Sequence, residues 1–247
     1  TPSYALHLGQ AARERGIELA ELPVRITVHA GEPGAGIPEV RRRIEAEWGA
    51  KAFDHSGMTE VGAYGFECVA REGLHVNEFE FIAEVIDPGT LQPAREGELV
   101  LTNLGRGCSP VVRYRTGDQV RWDDSRCSCG RTFARLSGGI LGRIDDMLIV
   151  RGVNVFPSAI EGIVRRFSFV DEFLIEVYKR AEMDEVRLLV EIDGAPTQAA
   201  REVQERLRAQ LGIRVEVVPV PLKSLPRYEL KARRVVRRVG ESRKETL

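Results

Sequence analysis

Apolar residues Tyr4, Leu6, Ala11, Ala12, Ile17 and Leu19 fall on one helical face, which predicts a helix within residues 3–21 broken at Gly16. Val24 to Val28 then alternates apolar and polar, as a half-buried strand does. His29 to Gly34 has turn composition, Ile37 to Trp48 returns to helical spacing, and Ala52 to His55 reads as a short strand. That order predicts an α/β layer. From Leu74 to Val120 the period shortens to two, in Phe79 to Ile86 and Gly97 to Thr102, with a turn at Asp87-Pro88-Gly89. This part reads as a β-rich subdomain.

The pattern changes again after Gly142 to Asp146. Met147 to Val150 predicts a strand, Ser158 to Phe167 a helix, and Phe173 to Tyr178 and Arg187 to Ile192 two strands. Thr197 to Gly212 predicts a long helix and Arg214 to Val220 a last strand. The expected fold class is therefore α/β plus α+β: a first domain over residues 1–144 and a small α+β domain over residues 145–247. No internal repeat or low-complexity stretch interrupts it.

Composition narrows the function classes. Of 247 residues 43% are apolar, enough for real cores, and 36 basic side chains face 37 acidic ones. So balanced a chain has no global field for nucleic acid or an anionic membrane. No apolar run reaches the length of a membrane span, and the opening TPSYALHLGQ lacks the basic start and apolar core of a signal peptide. Four cysteines without an export signal suit a reducing compartment, so a cytoplasmic protein is expected. The chain opens at Thr1 inside a predicted helix, as the middle of a longer protein would.

Four groups of residues could carry chemistry. Ser56-Gly57-Met58-Thr59-Glu60 follows a predicted strand, where α/β sheets place ligands. Its Thr59 hydroxyl could meet a phosphate and its Glu60 a Mg²⁺ ion, or Thr59 could merely cap a helix. Asp118, behind Tyr114-Arg115-Thr116-Gly117, reads as a turn carboxylate that could accept both hydroxyls of a ribose, or could satisfy its own turn. Cys127 and Cys129, with Cys68 and His75 upstream, could complete a tetrahedral Cys₃His zinc site; the one-residue spacing fits a pair of free thiols equally. Cys108 has no partner by spacing. Lys231 lies in a basic tail that reads as solvated, without the aromatic platform a nucleic-acid surface needs. His29 and His55 stand at strand ends, where histidines are mostly structural, and His55 is given a binding role only.

Taken in order, GEPG, SGMTE, GELVLTNLG, YRTGD, CSCGR, GRIDDMLIVRGVNVFPS and PRYELKAR resemble the phenylacetate–coenzyme A ligase branch of the adenylate-forming (acyl-CoA synthetase) superfamily, over essentially the whole chain. The resemblance implies a two-step ligase: a carboxylic acid, an aryl acetate by family, attacks ATP to give an acyl-adenylate, and coenzyme A then displaces AMP. It implies that residues 1–144 are the carboxyl-terminal part of the large AMP-binding domain and residues 145–247 a mobile cap. Gly31, Glu32 and Pro33 would line the adenine pocket, with His55 and Ser56 nearby. Thr59 would touch phosphate and Glu60 would ligate Mg²⁺. Asp118 would hold the ribose, Arg143 would lie near the nucleotide, Asp145 would be the hinge, and Lys231 would bridge α-phosphate and carboxylate. Two departures stand out. The family's phosphate loop precedes the point where this chain starts and has no match here, so the missing half is expected in cis or as a separate subunit, and the chain alone is expected to be weak or inactive. Lys231 also lacks the glycine that commonly precedes it. A non-catalytic nucleotide-binding or regulatory module, or an adenylating enzyme with a non-CoA acceptor, are the competing readings; a homodimer is a further expectation.

Overall fold

The computed structural model describes residues 1–180, 183–227 and 234–238. Lys231 lies outside them. The chain divides into two compact units between Asp145 and Asp146.

The first unit begins with helix α1 (Pro2–Arg13), whose Thr1 side chain accepts from the Tyr4 N–H and whose Pro2 occupies the first turn, where no N–H partner is needed. The helix ends before Gly16 (φ +69°), so the predicted reach to residue 21 is a short 3₁₀ turn over Leu19–Glu21 instead. Strand β1 (Ile26–His29) and helix α2 (Pro38–Trp48) follow; α2 stops at Gly49 in the left-handed conformation. Its Val40 and Ile44 pack on Ala52 of strand β2 (Lys51–Met58), which runs parallel to β1. Seven further strands complete this unit: β3 (Gly62–Glu67), β4 (Leu74–Val76), β5 (Phe81–Ile86), β6 (Glu96–Asn103), β7 (Val111–Asp123), β8 (Arg135–Leu136) and β9 (Gly142–Arg143). They form one nine-stranded sheet in the order β1-β2-β3-β4-β8-β7-β6-β5, with β9 paired to β7. Its core holds Val61, Tyr64, Leu74, Val76, Phe81, Leu99, Leu101, Val120 and Leu136.

Two sequence expectations are corrected here. Ser56 to Met58 belongs to β2, because cross-strand pairs with β3 carry it beyond His55; the turn covers Thr59 to Val61. Tyr114 to Asp118 is likewise no turn but part of β7. Between the pairs Val100↔Arg115 and Glu98↔Gln119 the strand carries two residues more than its partner, a β-bulge centred on Gly117 (φ +73°). A turn motif and a bulge share the same need for glycine, so residue types alone do not separate them.

The second unit opens with a hairpin, β10 (Leu148–Val150) and β11 (Val153–Val155), turned by Arg151 (φ +51°) and Gly152 (φ +82°). Positive φ at both turn positions is the geometry that matches strand twist. Helix α3 (Pro157–Val164), strands β12 (Val170–Arg180) and β13 (Met183–Ile192), helix α4 (Pro196–Leu211), β14 (Glu216–Val220) and β15 (Val235–Arg238) follow. The four strands lie in the order β14-β13-β12-β15. Phe173, Ile175 and Val177 pack with Leu188, Val190, Ile160, Val203 and Leu207 into one core. The intervening β12 residues carry buried carboxylates, Glu172 and Glu176. Arginines answer them: Arg165 and Arg234 bond Glu172, and Arg187 and Arg238 bond Glu176. The tail residues 234–238, expected to be solvated, thus supply an edge strand and two of those cations. No helix among the described residues is long and apolar enough to cross a membrane.

Candidate functional site

Alternation along β2 places Asp54, Ser56 and Met58 on one face and His55 on the other. Asp54 lines a cleft of about 260 Å³ together with Gly36, Glu67, Arg71, Gly138 and Gly139. Gly36 belongs to the loop that leaves β1 through Gly31, Glu32 and Pro33; a Cβ on it would lie 2.9 Å from Asp54 Oδ2, so the loop closely approaches that carboxylate. Glu32 is held by the amino end of α1, accepting from the Ser3 N–H at 2.7 Å, while Gly31 and Pro33 are exposed. The loop after β1 and the middle of β2 therefore meet near the carboxyl ends of two parallel strands, the position where open α/β sheets bind ligands. Burial and the neighbouring Glu67 carboxylate push Asp54 up to about 6.

Ser56 links this cleft to Asp118. Its hydroxyl donates to the Tyr64 hydroxyl at 2.7 Å, and Tyr64 stands close enough to the Asp118 carboxylate to help hold it down. Burial raises the Tyr64 phenol well above its ordinary value, with Asp118 adding to the rise, so it stays a neutral donor. The bulge that presents Asp118 is braced from inside. Glu98, 3% exposed, accepts from the Gly117 N–H and from Arg115, while the Thr116 hydroxyl donates to the Leu99 carbonyl and accepts from the Asp118 N–H. Strand β9 sets Arg143 directly opposite Asp118. Its guanidinium donates to the Thr116 carbonyl at 3.2 Å, reaches Asp118 Oδ1 at 3.5 Å and bonds Asp145 Oδ2 at 3.1 Å. Burial, the largest influence on Asp118, raises its carboxyl; Arg143 and Tyr64 oppose that without cancelling it. A desolvated carboxylate so held is a strong acceptor for added hydroxyl donors.

Thr59 and Glu60 are exposed and line a second, open cleft of about 490 Å³ with Gly105, Arg106, Gly107, Cys108 and Ser109. The Asn103 amide donates to the Val61 carbonyl, and Arg106 donates to the Thr59 and Glu60 carbonyls at 3.2 and 2.9 Å, fixing this turn from below. The exposed Glu60 carboxylate is one hard oxygen donor, which suits an ion that takes its other ligands from phosphates and water. The structure brings Ser56, Asp118 and Arg143 into one network and sets Asp145 at its end. Sequence reasoning missed Asp54, Tyr64, Glu98 and Arg106. The period of two along β2 could have coupled Asp54 to Ser56; nothing local marks Tyr64 or Glu98. Cys68, His75, Cys127 and Cys129 gather elsewhere, at the end of the sheet formed by β3, β4, β8 and β7.

This arrangement is that of the adenylate-forming fold. Residues 152–238 match the family model for the AMP-binding enzyme C-terminal domain. The chain is 39% identical over 199 residues to a phenylacetate–coenzyme A ligase of Thermus thermophilus, covering 78% of this chain and 44% of that protein. Against the phenylacetate–coenzyme A ligase of Escherichia coli it is 34% identical over 251 residues, 95% of this chain and 56% of the relative. A crystal structure of 2-hydroxyisobutyryl-CoA ligase in the postadenylation state, in complex with R3-HIB-AMP, superposes with a TM-score of 0.89 at 35% identity, covering 96% of this chain and 53% of the ligase. The chain is thus similar to phenylacetate–coenzyme A ligases over most of its length, and residues 152–238 carry the AMP-binding enzyme C-terminal domain. It spans about half the length of the curated relatives it matches.

Proposed function

We propose that the protein carrying this chain is an ATP-dependent acid–coenzyme A ligase, with phenylacetate or another aryl acid as substrate. The observation that carries this is the buried Asp118, presented on a braced bulge between Tyr64 and Arg143, in a chain whose relatives are such ligases. Asp118 accepts the two ribose hydroxyls, replacing the water that burial removed. The loop of Gly31, Glu32 and Pro33, with Ser56 nearby, lines the adenine, and His55, on the other face of β2, is not assigned to it. Thr59 would hold a phosphate oxygen and Glu60 a Mg²⁺ ion, which would supply positive charge beside the phosphates. Negative charge grows on the α-phosphoryl oxygens as the acid attacks, so cations fixed there favour the transition state over the ground state. Lys231, outside the described residues, is assigned to that place. Coenzyme A thiolate then displaces AMP. Asp145, at the boundary of the two units, serves as the hinge between the half-reactions.

Pyrophosphate–ATP exchange by the full-length protein, run across aromatic and aliphatic acids, tests the reading. Exchange dependent on an aryl acid, followed by thioester formation when coenzyme A is added, is expected. Absence of acid-dependent exchange across the panel would overturn it.

A further inference from the structure

Cys68 follows β3, His75 is the central residue of β4, and Cys127 and Cys129 sit in the loop between β7 and β8. Strands β3, β4, β8 and β7 are consecutive neighbours in the sheet, so segments far apart in sequence arrive at one edge. Their ligand atoms all lie within 4.8 Å of one another. Cys68 Sγ and Cys127 Sγ are 3.7 Å apart, and Cys129 Sγ is 3.5 Å from His75 Nε2. A zinc ion with bonds of about 2.3 Å to sulfur and about 2.0 Å to nitrogen, at tetrahedral angles, requires sulfur pairs about 3.8 Å apart and sulfur–nitrogen pairs about 3.5 Å apart. The sulfur separation is far too long for a disulfide, whose bond is about 2.05 Å.

The surroundings are those of a metal site. His75 is fully buried, and its Nδ1 faces the Phe133 carbonyl at 3.1 Å. That bond places the proton on Nδ1 and leaves the Nε2 lone pair directed at the thiols, as metal-bound histidines are oriented. Stacking of Phe66 on the His75 ring, centroids 5.7 Å apart, holds the ring plane. Gly130 (φ +84°) closes a tight turn whose N–H donates to the Cys127 carbonyl at 3.0 Å, which sets Cys127 and Cys129 on the same side. Three thiolates and a divalent ion leave one negative charge. Arg131, two residues after Cys129, sets its guanidinium 5.7 Å from the centroid of the Phe66 ring that stacks on His75, so a cation lies close by. Arg135 Nε lacks a conventional partner among the described residues. Without a metal, three sulfurs and an imidazole would crowd together at this end of the sheet for weak S–H contacts alone.

We propose that Cys68, His75, Cys127 and Cys129 form a closed, structural zinc(II) site that staples the β3–β4 turn and the β7–β8 loop to the sheet. The three thiols give up their protons on binding, so loading falls as the medium is acidified. With all four positions taken by the chain the ion has no place for a substrate, and its role is distinct from the ligase chemistry proposed above.

Elemental analysis of the full-length protein, purified without chelators, is expected to find one zinc per chain. Cys129→Ser should cut this at least tenfold, while Cys108→Ser, in the separate open cleft, should leave the zinc content unchanged. Because Cys129→Ser could unfold the edge, cobalt(II) exchange into the wild-type protein provides a second reading. Tetrahedral d–d bands with thiolate-to-cobalt charge transfer are expected. Folded protein free of zinc after growth in zinc-supplemented medium, or cobalt giving only the weak spectrum of an octahedral ion, would overturn the site.

Discussion

At the residue scale, burial beside a second carboxylate makes Asp54 a cost to stability. Its folded value of about 6 lies above the ordinary 3.8, so the charged form costs stability. The cost is complete above the folded value, fades as pH falls through about 6, and is gone below 3.8. Asp54→Asn keeps an oxygen to accept the His55 N–H and removes the repulsion from Glu67. It should therefore stabilise the protein by about 1–2 kcal/mol at pH 8 and by almost nothing at pH 4, read from denaturant midpoints at the two values. Asp118 is the complementary case, a raised carboxyl to which the proposed function gives the ribose. Asp118→Ala should weaken AMP binding by the full-length protein by at least about tenfold, the equivalent of one good charge-assisted hydrogen bond. Calorimetric titration finding unchanged affinity would remove it from the ribose role. Asp118 was legible in the sequence because a carboxylate beside glycine is a local signal. Its partners Tyr64 and Glu98 were not, since each is brought there by long-range pairing of β3 and β6.

At the element scale, periodicity was most legible where one face is apolar. α2 and α4 fall close to their predicted spans because their buried apolar positions recur at the helical period. It failed at β15, whose charged residues look solvated until Glu172 and Glu176 are seen on the neighbouring strand. It also passed over β11, whose hairpin turn uses Arg-Gly rather than the usual Asn-Gly. The carboxylate–arginine face has a measurable consequence. Burial alone would raise Glu172, Glu176 and Glu191, but their arginine partners outweigh it and hold all three below the ordinary value of 4.5. Groups depressed on folding stabilise above their unfolded value and lose that contribution as pH falls through the folded one. The second unit should hence be most acid-sensitive below about pH 4.5, seen as a falling melting temperature between pH 5 and pH 3. Glu176→Ala would leave Arg187 and Arg238 without their shared acceptor and should cost about 2–3 kcal/mol.

For the whole molecule, both tryptophans, Trp48 and Trp122, lie in the first unit. Glu176→Ala should therefore lower the calorimetric transition of the second unit while the tryptophan-fluorescence midpoint stays put; a common shift of both signals would show the units unfolding as one. The hinge reading makes a separate demand. Fixing the backbone with Asp145→Pro in the full-length protein should leave pyrophosphate exchange within about threefold and slow thioester formation from preformed adenylate by more than about tenfold. Equal loss in both half-reactions would assign Asp145 to nucleotide binding through Arg143 instead. The division at residues 145 and 146 coincides with a Gly-Arg-x-Asp-Asp run that sequence alone marks as a junction.

The bulge in β7 has a consequence for how the site could be gained or lost. Because the excess over β6 is two residues, an even number, Val120 and Trp122 keep the same inward and outward facing they would have in an uninterrupted ladder. Excising Thr116 and Gly117 together would pair Asp118 with Leu99 and keep Val120 facing the interior. Removing either one alone would turn Val120 out into water. The bulge that presents Asp118 is in this sense a detachable graft on the sheet, removable in pairs and not singly.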